Sequence, residues 1–268
     1  MKDYAEYDSF EIDRPLDGVL RITLDRQEAL NALDDKAHRQ ISLIWGDISR
    51  DKDTLAVLVR AKGRAFSAGG DFSTVEHLMQ SPEGRAKMWR EARDLVFGMI
   101  DCPKPIVSAI NGVAVGAGLA TALCADIPVA GRSAKLVDGH VRLGVMAGDH
   151  AVMLWPLLCG MAKAKYHLLL NEPVTGEEAE RMGLVALCVD DDKLEAETLR
   201  IAERLAKGSP SALQWTKHAL NNWLRLAGPS FDASLALEML GFAGADVREG
   251  LGSLREKRDP RFPRTSPF

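Results

Sequence analysis

The chain has 268 residues, 46% of them hydrophobic and 27% charged, with a formal net charge of −4 and a pI near 5.9. That length and balance suit a globular protein with one large core, or one core and an appendage, and give bulk charge no part in binding nucleic acid or an anionic membrane. The N-terminus, MKDYAEYDSF, has no apolar leader, and Cys102, Cys124, Cys159 and Cys188 show no CxxC spacing, so reduced core cysteines and a cytoplasmic setting are expected.

In chain order, Val19–Leu24 alternates apolar and polar residues and reads as a strand. Asp25–Leu33 is a polar loop. Asp34–Arg50 reads as a helix, with Ile41, Ile44 and Ile48 at helical spacing and acidic residues at its positive end. Leu55–Arg60 is a short apolar strand, and Ala61–Asp71 a small-residue loop with paired glycines. Pro82–Ile100 is a helix with Ser81 as its cap. Ile106–Ala125 carries no charge, and Gly112 and Gly116 even have GxxxG spacing. Asn111 and three glycines interrupt the run, which favours a buried strand ending near Ile110, a loop through Asn111–Val115 and a helix from Gly116 over a membrane span. Ile127–Ala130 and Ala134–Val137 read as further strand pieces. Asp149–Leu170 is mostly helical, with a break near Pro156. Thr175 and Glu178 form a capping box for a short helix stopped by Gly183. Helices over Lys193–Lys207, Ser211–Leu226 and Phe231–Arg258 finish the chain.

Strands alternating with helices predict an α/β class, and the loss of strands after Lys193 places a boundary near 195–205. The expected division is a 1–200 core and a 201–268 helical region that packs on another subunit.

Two glycine-rich loops, Ser67–Asp71 and Val115–Leu119, each follow an apolar strand. The second lacks a third glycine in GxGxxG spacing and no P-loop lysine follows, so a nicotinamide or phosphate site is weakly supported. One backbone N–H from each loop could instead converge on one carbonyl oxygen and stabilise the negative charge that develops there. The six histidines, at 38, 77, 140, 150, 167 and 218, show no HxH or HxxxH grouping, and no metal site is expected.

The loops Ala65-Phe66-Ser67-Ala68-Gly69-Gly70-Asp71 and Ala109-Ile110-Asn111-Gly112-Val113-Ala114-Val115-Gly116-Ala117-Gly118 resemble those of the crotonase superfamily, the enoyl-CoA hydratases and isomerases. So do Arg26–Leu33, Thr175-Gly176-Glu177-Glu178-Ala179, Gly183-Leu184-Val185, Glu249-Gly250 and Glu256-Lys257-Arg258. The resemblance covers nearly the whole chain. It implies a spiral of ββα units with a C-terminal helical region for oligomerisation, as a homotrimer or a dimer of trimers. It implies an acyl-CoA substrate, with coenzyme A as part of the substrate and no other cofactor. Ala68 and Ala117 would supply the oxyanion hole. Gly69, Gly70 and Gly116 would approach the substrate, and Asp71 and Phe72 would border the pantetheine channel. Arg26, Ala29 and Lys62 fall where the family holds the CoA nucleotide, and Lys257 where it reaches the CoA phosphates.

The departures bear on the chemistry. The familiar hydratase holds one water between two glutamates, and here those positions carry Ala120 and His140. Alanine moves no proton. His140, with Asp149 nine residues on, is the remaining candidate for proton transfer, with the carboxylate able to fix the ring's tautomer. Asp149 is also a candidate helix cap, His150 is expected to face outward, and Glu238 to be solvated or a cap. A branch of the superfamily that cleaves cyclic β-diketones without CoA places a His and an Asp at similar spacing. Three readings follow: enoyl-CoA hydration or isomerisation, hydrolytic C–C cleavage of a β-dicarbonyl, and a non-catalytic acyl-CoA-binding protein.

Overall fold

The computed structural model describes residues 2–265. Its six-stranded sheet contains β1 (Phe10–Leu16), β2 (Val19–Leu24), β3 (Ala56–Ala61), β5 (Ile106–Ile110), β7 (Ile127–Gly131) and β10 (Leu187–Val189), in that spatial order. β1 and β2 pair antiparallel and every later pair is parallel. The second sheet has the order β4 (Ala65–Ser67), β6 (Val113–Val115), β8 (Lys135–Val137), β9 (Val174–Thr175). The chain therefore alternates sheets: β3 feeds β4, β5 feeds β6, β7 feeds β8. That is the expected spiral of ββα units.

Composition explains the central strands. Ala56, Val57, Leu58 and Val59 of β3 are fully buried, because helices cover both faces of a parallel sheet and no polar alternation is needed. On one face lies α1 (Asp35–Arg50), capped by Asp34, whose side chain accepts from Ala37 N–H; it packs against α3 (Pro82–Asp101), capped by Ser81. On the other lies α9 (Leu194–Ala206), with Leu194, Ile201, Ala202 and Ala206 seated among Val19, Leu58, Val107 and Val129.

The expected domain division falls inside α9, and the structure does not follow it. The helix belongs to the sheet because its apolar stripe covers that second face. The later helices α12 (Gly228–Gly241) and α13 (Asp246–Arg255) also return to their own chain: Phe231, Leu235, Met239, Val247 and Leu251 all enter the main core. By contrast α10 (Pro210–Leu220) and α11 (Asn222–Leu226) leave Trp215, Leu220, Trp223 and Leu226 exposed.

Other boundaries differ for local reasons. Pro156 sits inside α6 (Ala151–Cys159), and the break to α7 (Met161–Leu170) comes at Gly160, with φ of +79°. The expected long C-terminal helix parts around Gly244. Two segments read as loop contain β4 and β6, each only three residues long and too short to show a period. β1 and α2 (Phe72–Gln80) went unread. Among the described residues no helix is long and apolar enough to cross a membrane, and all four cysteines are free.

Candidate active site

β4 and β6 each end in a glycine loop that turns into a helix, α2 after the first and α4 (Gly116–Leu123) after the second. The loops touch. A Cβ on Gly69 would lie 3.0 Å from Val115 O, and one on Gly118 would lie 2.3 Å from Ser67 Cβ. Gly69 and Gly116 also hold positive φ, +88° and +47°, which glycine adopts without strain. Small residues here are thus a packing requirement between two turns.

Accounting for each N–H of the two loops locates the free donors. Ala68 N–H donates to Leu30 O at 2.9 Å, so the donor expected there is already engaged. Gly69 N–H donates to Ser67 Oγ, Asp71 N–H to Leu33 O, and Gly116 N–H to Asp138 O. Gly70 N–H and Ala117 N–H have no acceptor among the described residues, and both residues line one cleft. Ala117 is in the first turn of α4, where helical N–H groups have no partner within the helix. The first-loop donor is therefore Gly70, two residues beyond the expected Ala68. The cleft encloses about 990 Å³, part of it open to solvent.

Opposite the donors stands His140, at the start of α5 (His140–Leu143), aimed inward by Gly139 in the left-handed region. Its ring lies beside the helix α4 terminus: a Cβ on Gly116 would be 3.8 Å from His140 Cε1. Three carboxylates surround it. Nδ1 is 3.1 Å from Asp138 Oδ2; Nε2 is 3.6 Å from Asp149 Oδ2 and 3.6 Å from Glu238 Oε1. All four residues are less than 10% exposed. Burial alone would push the imidazolium pKa down, but Asp149, Asp138 and Glu238 together raise it well above the ordinary histidine value. Burial would raise Asp149, yet His140 and His150 outweigh that and hold it below the usual carboxylate range. Glu238 goes the other way: burial lifts it, His140 opposes, and Asp149 and Asp138 add repulsion. The cluster thus biases the imidazole toward its cationic form, Asp149 toward the carboxylate and Glu238 toward its neutral form.

His150 is fully buried, contrary to the expected outward position. Its Nδ1 lies 2.5 Å from Asp149 Oδ1, while Trp155 Nε1–H donates to Nε2 at 3.4 Å. Since Nε2 accepts, Nδ1 carries the proton and donates to Asp149. Asp149 is no helix cap: α6 begins at His150 with no side-chain cap bond, and the Asp149 carboxylate is held between two histidines. Glu238 is neither solvated nor a cap. It lies on the buried face of α12, one helical turn from Ser234 and four residues from Phe242, and that spacing was the signal that could have found it. Asp138, two residues before His140, was not singled out.

The expected CoA-side residues lie away from this cluster. Arg26 is paired with Asp71 at 3.1 Å and with Asp34 at 3.6 Å. Lys62 is paired with Glu11 at 2.6 Å and Asp25 at 2.9 Å. Ala29 ends a short turn, half-buried, and Lys257 is exposed. Of the expected set, Ala68, Gly69, Gly70, Phe72, Gly116, Ala117, His140 and Asp149 border the cleft; Arg26, Ala29, Lys62, Asp71 and Lys257 do not. Asp138, His140 and Asp149 have ligand atoms within 4.8 Å of one another. A metal would need a neutral ring, which the raised His140 pKa opposes.

The enoyl-CoA hydratase/isomerase family profile matches residues 15–265. The 1,2-epoxyphenylacetyl-CoA isomerase of Escherichia coli is 33% identical over 251 residues, covering 91% of this chain and 95% of that protein. An enoyl-CoA hydratase/isomerase from Mycobacterium paratuberculosis superposes with a TM-score of 0.87 at 32% identity, covering 91% of this chain and 98% of that one. A β-diketone hydrolase from the cyanobacterium Anabaena, solved with (S)-3-oxocyclohexyl acetic acid, superposes with a TM-score of 0.83 at 28% identity, covering 91% and 97%.

Proposed function

The chain belongs to the enoyl-CoA hydratase/isomerase family, and on that premise we propose that it is an enzyme that forms or consumes a thioester enolate, with proton transfer by His140 in place of the usual glutamate pair. One observation carries this reading: His140, ringed by three carboxylates, shares a cleft with the unpaired N–H groups of Gly70 and Ala117. The two N–H groups bind the thioester oxygen as it gains charge, each worth about 3–4 kcal/mol in the transition state. His140 gives or recovers a proton at carbon. Asp138 and Asp149 hold its ring and its charge, and His150 holds Asp149. Coenzyme A enters as part of the substrate.

A second reading has its own support. Arg26 and Lys62, the cations expected to meet CoA phosphates, already face carboxylates, and the fold neighbour from Anabaena is named as a β-diketone hydrolase. In that reading the same oxyanion donors polarise a free ketone, and a water-derived nucleophile cleaves the C–C bond. The two separate in one assay series. Enoyl-CoA esters and cyclic 1,3-diketones are offered to the purified protein, with acetoacetyl-CoA binding measured by calorimetry. CoA-ester turnover and binding are expected; absence of any CoA-ester binding together with diketone cleavage would reverse the order. The exposed apolar faces of α10 and α11 support a homotrimer or a dimer of trimers, which light scattering reads directly.

A further inference from the structure

One titratable pair in the cleft has no role in the scheme above. His38, on α1, lines the same cleft as His140, Asp149 and Ala120, and is 5% exposed. Its Nδ1 is 3.1 Å from Oε2 of Glu91, on α3, which is 8% exposed. Glu91 has one further ionic neighbour, Lys87 at 3.7 Å. Nδ1–H donation to Glu91 fixes the ring tautomer and leaves the Nε2 lone pair free; among the described residues Nε2 has no partner. A burial this deep could serve packing alone, since α1 meets α3 along Ile41, Trp45 and Ile48. Packing, however, does not call for an imidazole oriented by a buried carboxylate at the wall of a cleft.

The two histidines differ in kind. His140 faces three carboxylates within 3.6 Å and holds a proton to give; His38 is paired directly with Glu91 alone, feels Asp149 only as a more distant charge, and offers a lone pair. Hydration of a double bond needs both, an acid at one carbon and a base for the water. Ala120, at the wall of the cleft, supplies neither. Asp138 is committed to His140, Asp149 to His150 and His140, and Glu238, 3.6 Å from His140, is biased by burial toward its neutral form and so is a poor base.

We propose that His38, oriented by Glu91, is the base that activates water in this cleft, so that the enzyme is a hydratase working with a pair of histidines. The assignment rests on the enolate reading above. In the step, the water oxygen bonds to Cβ and its proton goes to His38 Nε2. The Cα=Cβ π pair moves onto the thioester as an enolate held by Gly70 and Ala117 N–H. The enolate then takes the His140 proton at Cα. Water has added across the double bond, and exchange with solvent returns the proton from His38 to His140. His38 is a catalytic residue in this scheme and Glu91 a positioning residue.

The test separates water activation from α-carbon proton transfer. Hydration is followed with a panel of 2-enoyl-CoA esters, crotonyl-CoA among them. α-Proton exchange is followed in D2O with the saturated esters by NMR. His38→Asn keeps an N–H near the Nδ1 position for Glu91 and removes the base; Glu91→Gln keeps the shape and removes the charge. Thermal melts check that both variants fold. His38→Asn should lower hydration by about 10²-fold or more, leave α-proton exchange within about threefold of wild type, and regain part of its hydration with added imidazole. Glu91→Gln should lower kcat with little change in KM. His140→Ala should lose both activities. Hydration retained by His38→Asn, or equal loss of hydration and exchange, overturns the assignment. So does a wild-type protein that exchanges the α-proton and hydrates nothing, which leaves the enolate reading standing. A wild-type protein that does neither removes the enolate reading and this assignment with it.

Discussion

The inner end of the cleft and a surface patch outside the cleft both hold ion pairs, and the pairs do different things. At the inner end, His140, Asp138, Asp149 and Glu238 are all nearly inaccessible, and the pKa values of His140, Asp149 and Glu238 are displaced in different directions from their ordinary values. On the outer patch, Arg26, Asp71, Lys62 and Asp25 are partly exposed, and water screens what passes between them. Burial decides which pairs carry chemistry. A buried charge that loses its partner has no solvent to turn to, whereas an exposed one is rehydrated.

The largest expected effect tests that contrast directly. His140→Ala leaves three buried carboxylates facing one another. It should lower turnover by about 10³-fold or more and destabilise the fold by about 3–5 kcal/mol. Steady-state assay and urea unfolding read the two losses. A variant that keeps wild-type stability would mean the inner cluster is no more demanding than the outer patch.

Next comes the donor pair beside the cluster. Gly70→Pro removes the unpaired N–H and should lower kcat about 10²- to 10³-fold. Gly70→Ala is the control, because an added Cβ there meets nothing within 4 Å. If proline is tolerated as well as alanine, the donor lies elsewhere in the loop.

Glu238 gives a smaller effect with a defined sign. Its folded-state pKa is raised, so the stability linked to it is fully present below the ordinary glutamate value of 4.5 and is lost as pH rises through the raised value. Glu238→Gln cannot ionise. The variant should therefore match wild type near pH 4.5 and exceed it by on the order of 2 kcal/mol at mildly alkaline pH. Asp149 has the opposite sign: held below 3.8, it contributes stability above that value that is lost as pH falls through its folded value. Chemical denaturation across pH 4–9 separates the two. A Glu238→Gln difference that does not grow with pH would place Glu238 with the screened pairs.

The same contrast explains what could be read without coordinates. The glycine loops were legible because they are contiguous, and so was the alternation of strand and helix. Ala120 and His140 stood out because a motif set their places. His38, Glu91 and Glu238 come from three helices far apart in the chain, and only tertiary packing brings their buried faces to one cleft. Glu238, a polar residue on an apolar stripe, was weighed as solvated or a cap, and nothing local in the sequence set His38 or Glu91 apart. Ala68 was misjudged for a different reason: a free N–H is defined by the absence of an acceptor, and the acceptor, Leu30 O, lies thirty-eight residues earlier in the chain. His150 turned inward because Asp149 needed a donor.

The smallest effects belong to the outer patch, where they discriminate best between substrates. Arg26→Ala and Lys62→Ala each remove one exposed partner and should leave the melting temperature unmoved. If CoA phosphates compete for these cations, displacing Asp71 from Arg26 and Glu11 from Lys62, each variant should raise KM for a CoA ester by about fivefold at most, leave kcat unchanged and weaken the salt dependence of KM. A cyclic diketone has no phosphate to reach them, so its KM should not move in either variant. A CoA-ester KM that is also indifferent to both substitutions and to salt would mean that the outer pairs stay closed on themselves, and that the inner cluster alone selects the substrate.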